Sequence, residues 1–372
     1  MKDRFKSFNS GRANFLLMVF ISCMIGGAVL KLTALVLVPF IIALFLAFAA
    51  YPMVHGLDKF KIPRFCSILL VVLIIAAGLS IIGVVLYSSG RTILSLYPKY
   101  ERRMSEIYAW FAGFFELSYD ARLSFFENLW SQLGVRTQVR NFTFSFSNAS
   151  IAFLKDAVLV ILFVVFILME ATQMSDKLEF AFEGKLSGQI KRIGADVMRQ
   201  ITRYLTAKFL ISLATGAIVA IGLGLVGLEF AVVWGVIQFV LNFIPNLGSI
   251  AAGFAASLFA LLQFWPEPGP VILVVLIMIG ANMIIGNFLD PKIIGDNLGI
   301  SPLVVLISLT IWGYVWGFAG MILSVPMMVI IKIICENFPL LEPVSILLGS
   351  RKAFQAKKAA EAERDLTAEE PV

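Results

Sequence analysis

Five polar or helix-breaking residues interrupt a long apolar stretch in the second half of the chain. The sequence LNFIPNLGSI, residues 241–250, contains Asn242, Pro245, Asn246, Gly248 and Ser249. Asn and Ser bring hydrogen-bonding groups that hydrocarbon cannot satisfy, Pro removes a backbone donor, and Gly loosens a helix. Packing alone is a poor explanation for the set. We therefore predict a broken membrane helix whose polar groups and free backbone face a solute.

A second polar cluster lies in GANMIIGNFLDPKIIGDNLGISP, residues 280–302, and its candidate site residues are Asn282, Asn287, Asp290 and Pro291. Irregular backbone at membrane depth is tolerated only where it is buried in protein or lines a watery cavity. A single Asn can also simply join two helices, and Asp290 and Asp296 can be ordinary loop carboxylates. Taken together, the two clusters predict a solute site.

The third candidate set lies in GYVWGFAG, residues 313–320, and shortly after it: Gly313, Gly317, Gly320 and Pro326. These residues predict a second helix break that contributes to the solute pathway. The alternative is that the glycines only allow neighbouring helices to approach closely.

Composition places all three clusters in a membrane protein. Of the 372 residues, 59% are hydrophobic and 15% are charged, against about 45–50% and about 25% in soluble proteins. The net charge of +6 is spread over both ends and several loops. This distribution is typical of membrane topology and not of a nucleic-acid-binding surface. We expect a polytopic protein with lipid around it and no nucleic-acid partner.

The chain lacks the residues that most catalytic sites need. His55 is the single histidine, and the three cysteines, Cys23, Cys66 and Cys335, lie far apart without a CxxC pair. A zinc site or a Ser-His-Asp triad would need more, and no G-x-x-x-x-G-K-[ST] loop is present for ATP. We expect no enzyme activity, no metal and no cofactor.

The apolar stretches predict an all-α polytopic membrane protein with about eight membrane segments. A spanning helix needs about 20 apolar residues, and ordinary spans are predicted at 14–30, 33–53, 65–89, 152–170, 208–228 and 270–289. Two further stretches, 229–264 and 300–335, would each be roughly 54 Å long as a helix, too long for one crossing and short for two. Because each is interrupted near its middle, we predict two broken helical hairpins.

Each hairpin follows an ordinary span, which gives a repeated unit in the C-terminal half. Lys and Arg mark cytoplasmic segments, and they occur at the N-terminus, in 54–64 and 171–207, at Lys292 and after residue 350. The loop WPEPGP, residues 265–270, has none. This pattern predicts cytoplasmic termini and two units of inverted orientation, with the first hairpin entering from outside and the second from inside.

We divide the chain into five regions. Residues 1–89 form N-terminal membrane helices, and 90–150 form an external amphipathic helical segment, which is either an interfacial cap or a ligand-recognition surface. Residues 151–207 form a membrane helix and a cytoplasmic amphipathic helix, 208–350 the transport core, and 351–372 a charged cytoplasmic tail.

Charged residues are missing from the centre of every predicted span. A charged substrate or a proton relay usually leaves such a residue there. This absence favours a small, neutral, hydroxyl-rich solute, although backbone dipoles can serve ions as well.

Two sequences, FAVVWGVIQFVLNFIPNLGSI and GNFLDPKIIGDNLGISPLVVLISLTIWGYVWGFAGMILSVPMMVIIKI, resemble the AI-2E family of transporters. The resemblance rests on 245–249, on 287–291 with Gly295, on Leu298 and Pro302, and on Gly317, Gly320 and Pro326. It implies a multi-pass transporter of the bacterial inner membrane that forms homo-oligomers, with pentamers as the expected form.

The best-known substrate of the family is autoinducer-2, a furanone-type quorum-sensing signal, and some members are described as sodium/proton antiporters. We therefore expect a secondary transporter that exports a small polar metabolite, with autoinducer-2 as the first candidate. The alternative is a cation/proton antiporter in which Asp290 or Asp296 titrates.

Overall fold

The computed structural model describes residues 10–114, 155–171, 185–286, 299–338 and 341–351, with a few residues between and after these ranges. Nearly all of them are helical, and their β-structure is limited to one antiparallel bridge between Ile300 and Gly349. The prediction of an all-α fold is confirmed. Three candidate site residues, Asn287, Asp290 and Pro291, lie outside the described residues, as do 115–150.

The N-terminal region contains α1 (Ser10–Leu32), α2 (Ala34–Asp58) and α3 (Arg64–Phe114), followed by helical residues 155–171, here α4. Side chains of α2, α3 and α4 share one core, which includes Ala43, Ala47, Ala50, Val71 and Val164. Because lipid tails are as apolar as these side chains, close van der Waals packing holds such helices together. The alanines of α2 allow that close approach.

Helix α3 has 51 residues and is therefore roughly 77 Å long, more than twice the thickness of the hydrocarbon core. Its first part, Arg64–Ser89, is apolar enough to cross a membrane. Residues 90–114, which we expected to begin an external segment, continue the same helix without a break. The helix therefore extends well beyond one face of the membrane.

Helix α5 (Lys185–Val226) is also long, with 42 residues. It joins the cytoplasmic amphipathic helix predicted within 151–207 and most of the predicted span 208–228 into one helix. Ile201 and Tyr204, in its N-terminal half, are buried in a core shared with Phe45 of α2 and with the aromatic residues Trp312 and Trp316.

The first predicted hairpin consists of α6 (Ala231–Leu241) and α7 (Leu247–Phe264). The two helices are antiparallel, because the rings of Trp234 and Phe259 are 5.6 Å apart and Gln238 Nε2 is 3.4 Å from Ser249 Oγ. In a continuous helix, residues 238 and 249 would be roughly 16 Å apart. Helix α8 (Pro268–Ile284) then packs on α7, where Ala252, Ala256 and Ala260 form a buried small-residue stripe.

The second predicted hairpin is α9 (Pro302–Asn337), which folds back on itself at Gly317. Ser308 Oγ donates a hydrogen bond to the Ser324 carbonyl at 2.9 Å, although these residues would be roughly 24 Å apart in a straight helix. The backbone of Gly317 has φ 61° and ψ −138°, a conformation that is essentially limited to glycine. A short helix, α10 (Glu342–Leu348), follows.

Among the described residues, five helices or parts of helices are long and apolar enough to cross a membrane: Ala34–Asp58, Arg64–Ser89, Gly188–Val226, Leu247–Phe264 and Pro302–Asn337. Two shorter apolar helices, α6 and α8, complete the C-terminal half. The fold is that of a multi-pass membrane protein. The number of eight segments and the inverted repeat remain predictions.

Candidate functional site

The break between α6 and α7 is a compact turn whose backbone groups bond to one another. The N–H of Ile244 donates to Leu241 O at 2.9 Å, and the N–H of Gly248 donates to Ile244 O at 3.3 Å. Asn246 has φ 59° and ψ −52°, and the N–H of Leu247 donates to Pro245 O at 2.6 Å, which makes Asn246 the centre of a γ-turn. These local bonds explain how non-helical backbone is tolerated here.

Gly248 lets the two arms of the first hairpin meet. A Cβ placed on this residue would be 1.7 Å from the carbonyl oxygen of Leu241, so no larger residue fits without moving the backbone. The second hairpin uses the same device, since a Cβ on Gly320 would be 1.9 Å from the carbonyl oxygen of Trp312. Both glycines therefore have a packing role at the fold-back points.

An amide and hydroxyl network connects four helices beside the break. Asn242 Nδ2 donates to Ser212 Oγ of α5 at 3.0 Å, and its Oδ1 accepts from Ser249 Oγ of α7 at 3.1 Å. Gln238 Nε2 of α6 donates to Asn282 Oδ1 of α8 at 2.9 Å. Buried polar groups are stable in a membrane protein only when paired in this way. The network fixes the break against α5 and α8.

A cavity of about 590 Å³ lies against this network. Its lining comes from α5, from the break, from α7 and from α8 and the residues directly after it: Lys208, Thr215, Asn242, Asn246, Ser249, Ile250, Gly253, Phe254, Ser257, Val275, Met278, Ile279, Asn282, Met283, Ile285 and Gly286. The volume is that of a site for a small molecule, with an apolar wall and a few convergent polar groups. The outer wall is open, because Ile250, Phe254 and Ile279 are also on the surface.

Among the described residues of this lining Lys208 is the charged one, and it is buried, with 5% of its surface exposed. It also interacts with another group of the protein. We expected no charge in the interior of the spans, and Lys208 indeed stands at the edge of the predicted span 208–228. In the structure this edge belongs to the uninterrupted helix α5 and lines the cavity, so the described lining combines a Lys with neutral amides and hydroxyls.

Four of the predicted site residues line the cavity: Asn242, Asn246, Ser249 and Asn282. Pro245 and Gly248 belong to the break beside it. The remaining described candidates, Gly313, Gly317, Gly320 and Pro326, belong to the second hairpin, and none of them is among the described residues that line the cavity. Their role in a pathway remains a prediction.

Sequence reasoning missed Lys208, Ser212, Thr215 and Gln238. A signal was nevertheless present, because residues at i, i+4 and i+7 lie on one face of a helix. Lys208, Ser212 and Thr215 have this spacing, and Gln238 precedes Asn242 by four residues. Polar residues that recur at helical spacing in an apolar helix therefore mark the cavity-facing side.

The described residues contain no group of three or more His, Cys, Asp or Glu side chains placed to hold a metal ion. The polar atoms that surround the cavity are amide, hydroxyl and ammonium groups. Such groups bind a solute by hydrogen bonds and charge.

A separate polar cluster ties the extension of α3 to the loop between α5 and α6. Lys99 and Tyr100 both donate hydrogen bonds to the Glu229 carboxylate, and the N–H of Glu229 donates to Gln263 Oε1 at 2.7 Å. Arg103 donates to the carbonyl oxygen of Trp265, at the end of α7. The extension of α3 is therefore fixed beside the start of α6 and the end of α7.

The pKa values of Glu229 and Tyr100 are shifted in this cluster. Burial raises the pKa of Glu229, but the hydrogen bonds from Lys99 and Tyr100 and the charge of Lys99 outweigh it, so the net pKa is below the usual 4.5. Burial, and then the hydrogen bond and charge of Glu229, raise the pKa of Tyr100 above its usual 10.0. Both shifts favour an ionised Glu229 beside a neutral Tyr100.

Comparison with known proteins gives a consistent result over most of the chain. Residues 15–340 match the family described as AI-2E family transporter. The chain is 32% identical over 321 residues to a putative transport protein of Borreliella burgdorferi, covering 86% of each chain. It is 30% identical to the putative transport protein YhhT of Escherichia coli K12, covering 84% of this chain and 88% of that protein.

A third relative has a more specific name. The chain is 29% identical over 325 residues to the AI-2 transport protein TqsA of Escherichia coli K12, covering 86% of this chain and 91% of that protein.

Proposed function

This protein belongs to the AI-2E transporter family, and on that premise we propose that it is a secondary transporter whose solute binds in the cavity between α5, α7 and α8. The observation that carries the proposal is the amide network of Gln238, Asn242 and Asn282 beside a broken helix. Broken helices at the solute site are a recurring feature of secondary transporters, because they offer free backbone groups and helix ends.

The cavity supports a small polar solute. Its volume of about 590 Å³ is within the range for small-molecule sites. Amides and hydroxyls in an apolar wall fix the orientation of a ligand through hydrogen bonds, while the apolar side chains allow it to leave. Autoinducer-2 is the first candidate, and its support is the likeness to TqsA, named as an AI-2 transport protein.

We further propose that the protein works in the bacterial inner membrane with both termini in the cytoplasm, as the distribution of Lys and Arg indicates. The direction is export, and the working form is a homo-oligomer, with a pentamer as the expected form.

An antiporter of sodium and protons is the second candidate. Such a protein needs a titrating group at its cation site. Of the described residues that line the cavity, Lys208 alone is titratable, and Asp290 and Asp296 follow Gly286 within ten positions in the sequence. For an exporter of a small metabolite we expect Asp290→Asn to keep efflux, with at most a several-fold loss.

One assay in proteoliposomes separates the two functions. Efflux of a labelled furanone and the pH change driven by a sodium gradient are measured with the same preparation, for the wild type and for Asp290→Asn. Furanone efflux that survives in Asp290→Asn, without a sodium-driven pH change, supports the exporter. A sodium-driven pH change that is abolished in Asp290→Asn, without furanone efflux, would establish the antiporter instead.

A further inference from the structure

We infer that the solute of this cavity is a small hydroxylated anion and that Lys208 determines the preference for its charge. The inference rests on the proposed function, since it takes the cavity as the solute site, and it replaces the neutral solute that the sequence favours. Two features carry it: the burial of a Lys in the lining, and the amide and hydroxyl groups of the same lining that can still bond to a hydroxylated ligand.

The burial of Lys208 is unusual for a membrane-embedded helix. A Lys near a helix end normally extends its ammonium group towards water, but Lys208 is 23 residues after the start of α5 and only 5% exposed. An ammonium group has three donors and no acceptor. Because Lys208 already interacts within the protein, a solute anion would join an existing polar arrangement.

The amides of the lining also have hydrogen-bonding groups that the protein does not use. The oxygen of Asn242 accepts one hydrogen bond from Ser249, and the oxygen of Asn282 accepts one from Gln238, so each oxygen keeps a second lone pair. Each amide nitrogen has two hydrogens. Asn242 uses one of them on Ser212, and Asn282 directs one towards Ser249 O at 3.5 Å. One donor on each side chain is left for a ligand oxygen.

Two hydroxyl oxygens of the lining can still accept hydrogen bonds. Thr215 donates its hydrogen to Ile211 O, and Ser257 donates its hydrogen to Gly253 O, both at 2.7 Å. With their hydrogens used on helix carbonyls, these oxygens can still accept bonds from solute hydroxyls. No Asp or Glu is among the described residues that line the cavity. The complementary ligand has an oxyanion for Lys208 and hydroxyl groups for the amides and hydroxyls of the lining.

The test uses ligands that differ in one property at a time. Gluconate is a hydroxylated anion, sorbitol is a neutral polyol of the same chain length, and hexanoate is an anion without hydroxyls. Glycerate, glycerol and propionate form a smaller matched set. Binding is measured as thermal stabilisation of the purified full chain in detergent for the wild type, Lys208→Arg, Lys208→Gln and Ser249→Leu.

We expect gluconate or glycerate to stabilise the wild type more than the neutral polyol and more than the plain carboxylate. Loss of a charged hydrogen-bond partner should weaken this binding roughly tenfold or more in Lys208→Gln, whereas Lys208→Arg should retain part of it. Ser249→Leu, which fills the cavity, should abolish it. Each variant is first compared with the wild type in size-exclusion profile and melting temperature without ligand.

The outcomes separate the inference from the proposed function. Polyols that bind as tightly as the hydroxylated anions, no binding of either anion, or unchanged anion binding in Lys208→Gln would each overturn the role of Lys208. If anion binding is lost in Ser249→Leu but kept in Lys208→Gln, the cavity remains the site and only the inference fails. If anion binding persists in Ser249→Leu, the cavity is not the site and the proposed function fails with it.

Discussion

Gln238 and Asn282 are 44 residues apart in sequence, and their side-chain amides are joined by a 2.9 Å hydrogen bond from Nε2 to Oδ1. Gln238 is fully buried, and its own Oε1 has no hydrogen-bond partner among the described residues. The bond connects the first arm of the broken hairpin to the helix that follows the hairpin. It sets the orientation of an Asn side chain that lines the cavity.

Replacement of Gln238 tests this orienting role. In Gln238→Leu the Asn282 oxygen loses its donor, which leaves a partly buried polar group with one bond fewer at a cost of at most about 1–3 kcal/mol. We expect solute transport in proteoliposomes to fall several-fold while folded protein is still recovered. Gln189→Leu, at a Gln that bonds to Asn337 O away from the cavity, is the matched control. Equal transport by both variants would show that the network is not needed for function.

Ser249→Leu tests the cavity itself. Ser249 contacts Gln238 and Asn242, and a Leu side chain would both remove those bonds and occupy the space of a solute. We expect transport to be nearly abolished. Thr310→Leu is the control, because Thr310 is exposed on α9 and bonds only within its own helix in the structure described. On an outward-facing position Leu should be neutral or stabilising. Full transport by Ser249→Leu would mean that the break is only a structural kink.

Gly317→Ala tests the second hairpin. A Cβ at φ 61° and ψ −138° strains the backbone, which should cost about 1–3 kcal/mol and lower the melting temperature of the purified protein. Gly280, inside α8, has open space around the position of a Cβ. Gly280→Ala should therefore leave the melting temperature unchanged or raise it slightly. A Gly317→Ala protein as stable as the wild type would contradict the sharp reversal at this residue.

The cluster of Lys99, Tyr100 and Glu229 predicts a pH dependence of stability. Because the folded pKa of Glu229 is lowered, its stabilising contribution is present above its usual pKa of 4.5 and is lost as the pH falls below that value. Because the folded pKa of Tyr100 is raised, the unfolded chain loses this proton first, and stability falls as the pH rises above about 10.

Glu229→Gln should reduce both effects and lower the melting temperature at neutral pH by at most a few degrees, since the pair is partly exposed. The measurement is melting temperature against pH in detergent. Glu106→Gln, at a half-exposed carboxylate paired with Arg103 on the same helix, is the control. If Glu229→Gln melts at the same temperature as the wild type at neutral pH, the cluster does not stabilise the attachment of α3.

Labelling of single cysteines tests the predicted topology in a background without Cys23, Cys66 and Cys335. We expect a cysteine at position 267 to react from outside and one at position 292 from inside. If 229–264 and 300–335 were simple crossings, these two accessibilities would be exchanged while both termini stayed in the cytoplasm. The two loops therefore decide the question, and the termini do not.

The sequence alone determined the class of the protein and the positions of its breaks. Hydrophobic stretches of membrane length require helices, since backbone groups in lipid must bond internally. The two stretches that were too long for one crossing contained Pro, Asn and Gly near their middle. The structure has fold-back points at both, at 242–246 and at Gly317. These features are local in sequence, and their physical causes are local as well.

Only the tertiary structure decided which polar residues share a site. Asn242, Asn246, Ser249 and Asn282 meet at one cavity, whereas Gly320 of the second hairpin packs against Trp312 and Trp316. The rotation of α5 and α6 about their axes brings Lys208 to this cavity and Gln238 to Asn282. That rotation is set by close packing between helices far apart in sequence, and helical spacing within one segment reveals a polar face but not its partner.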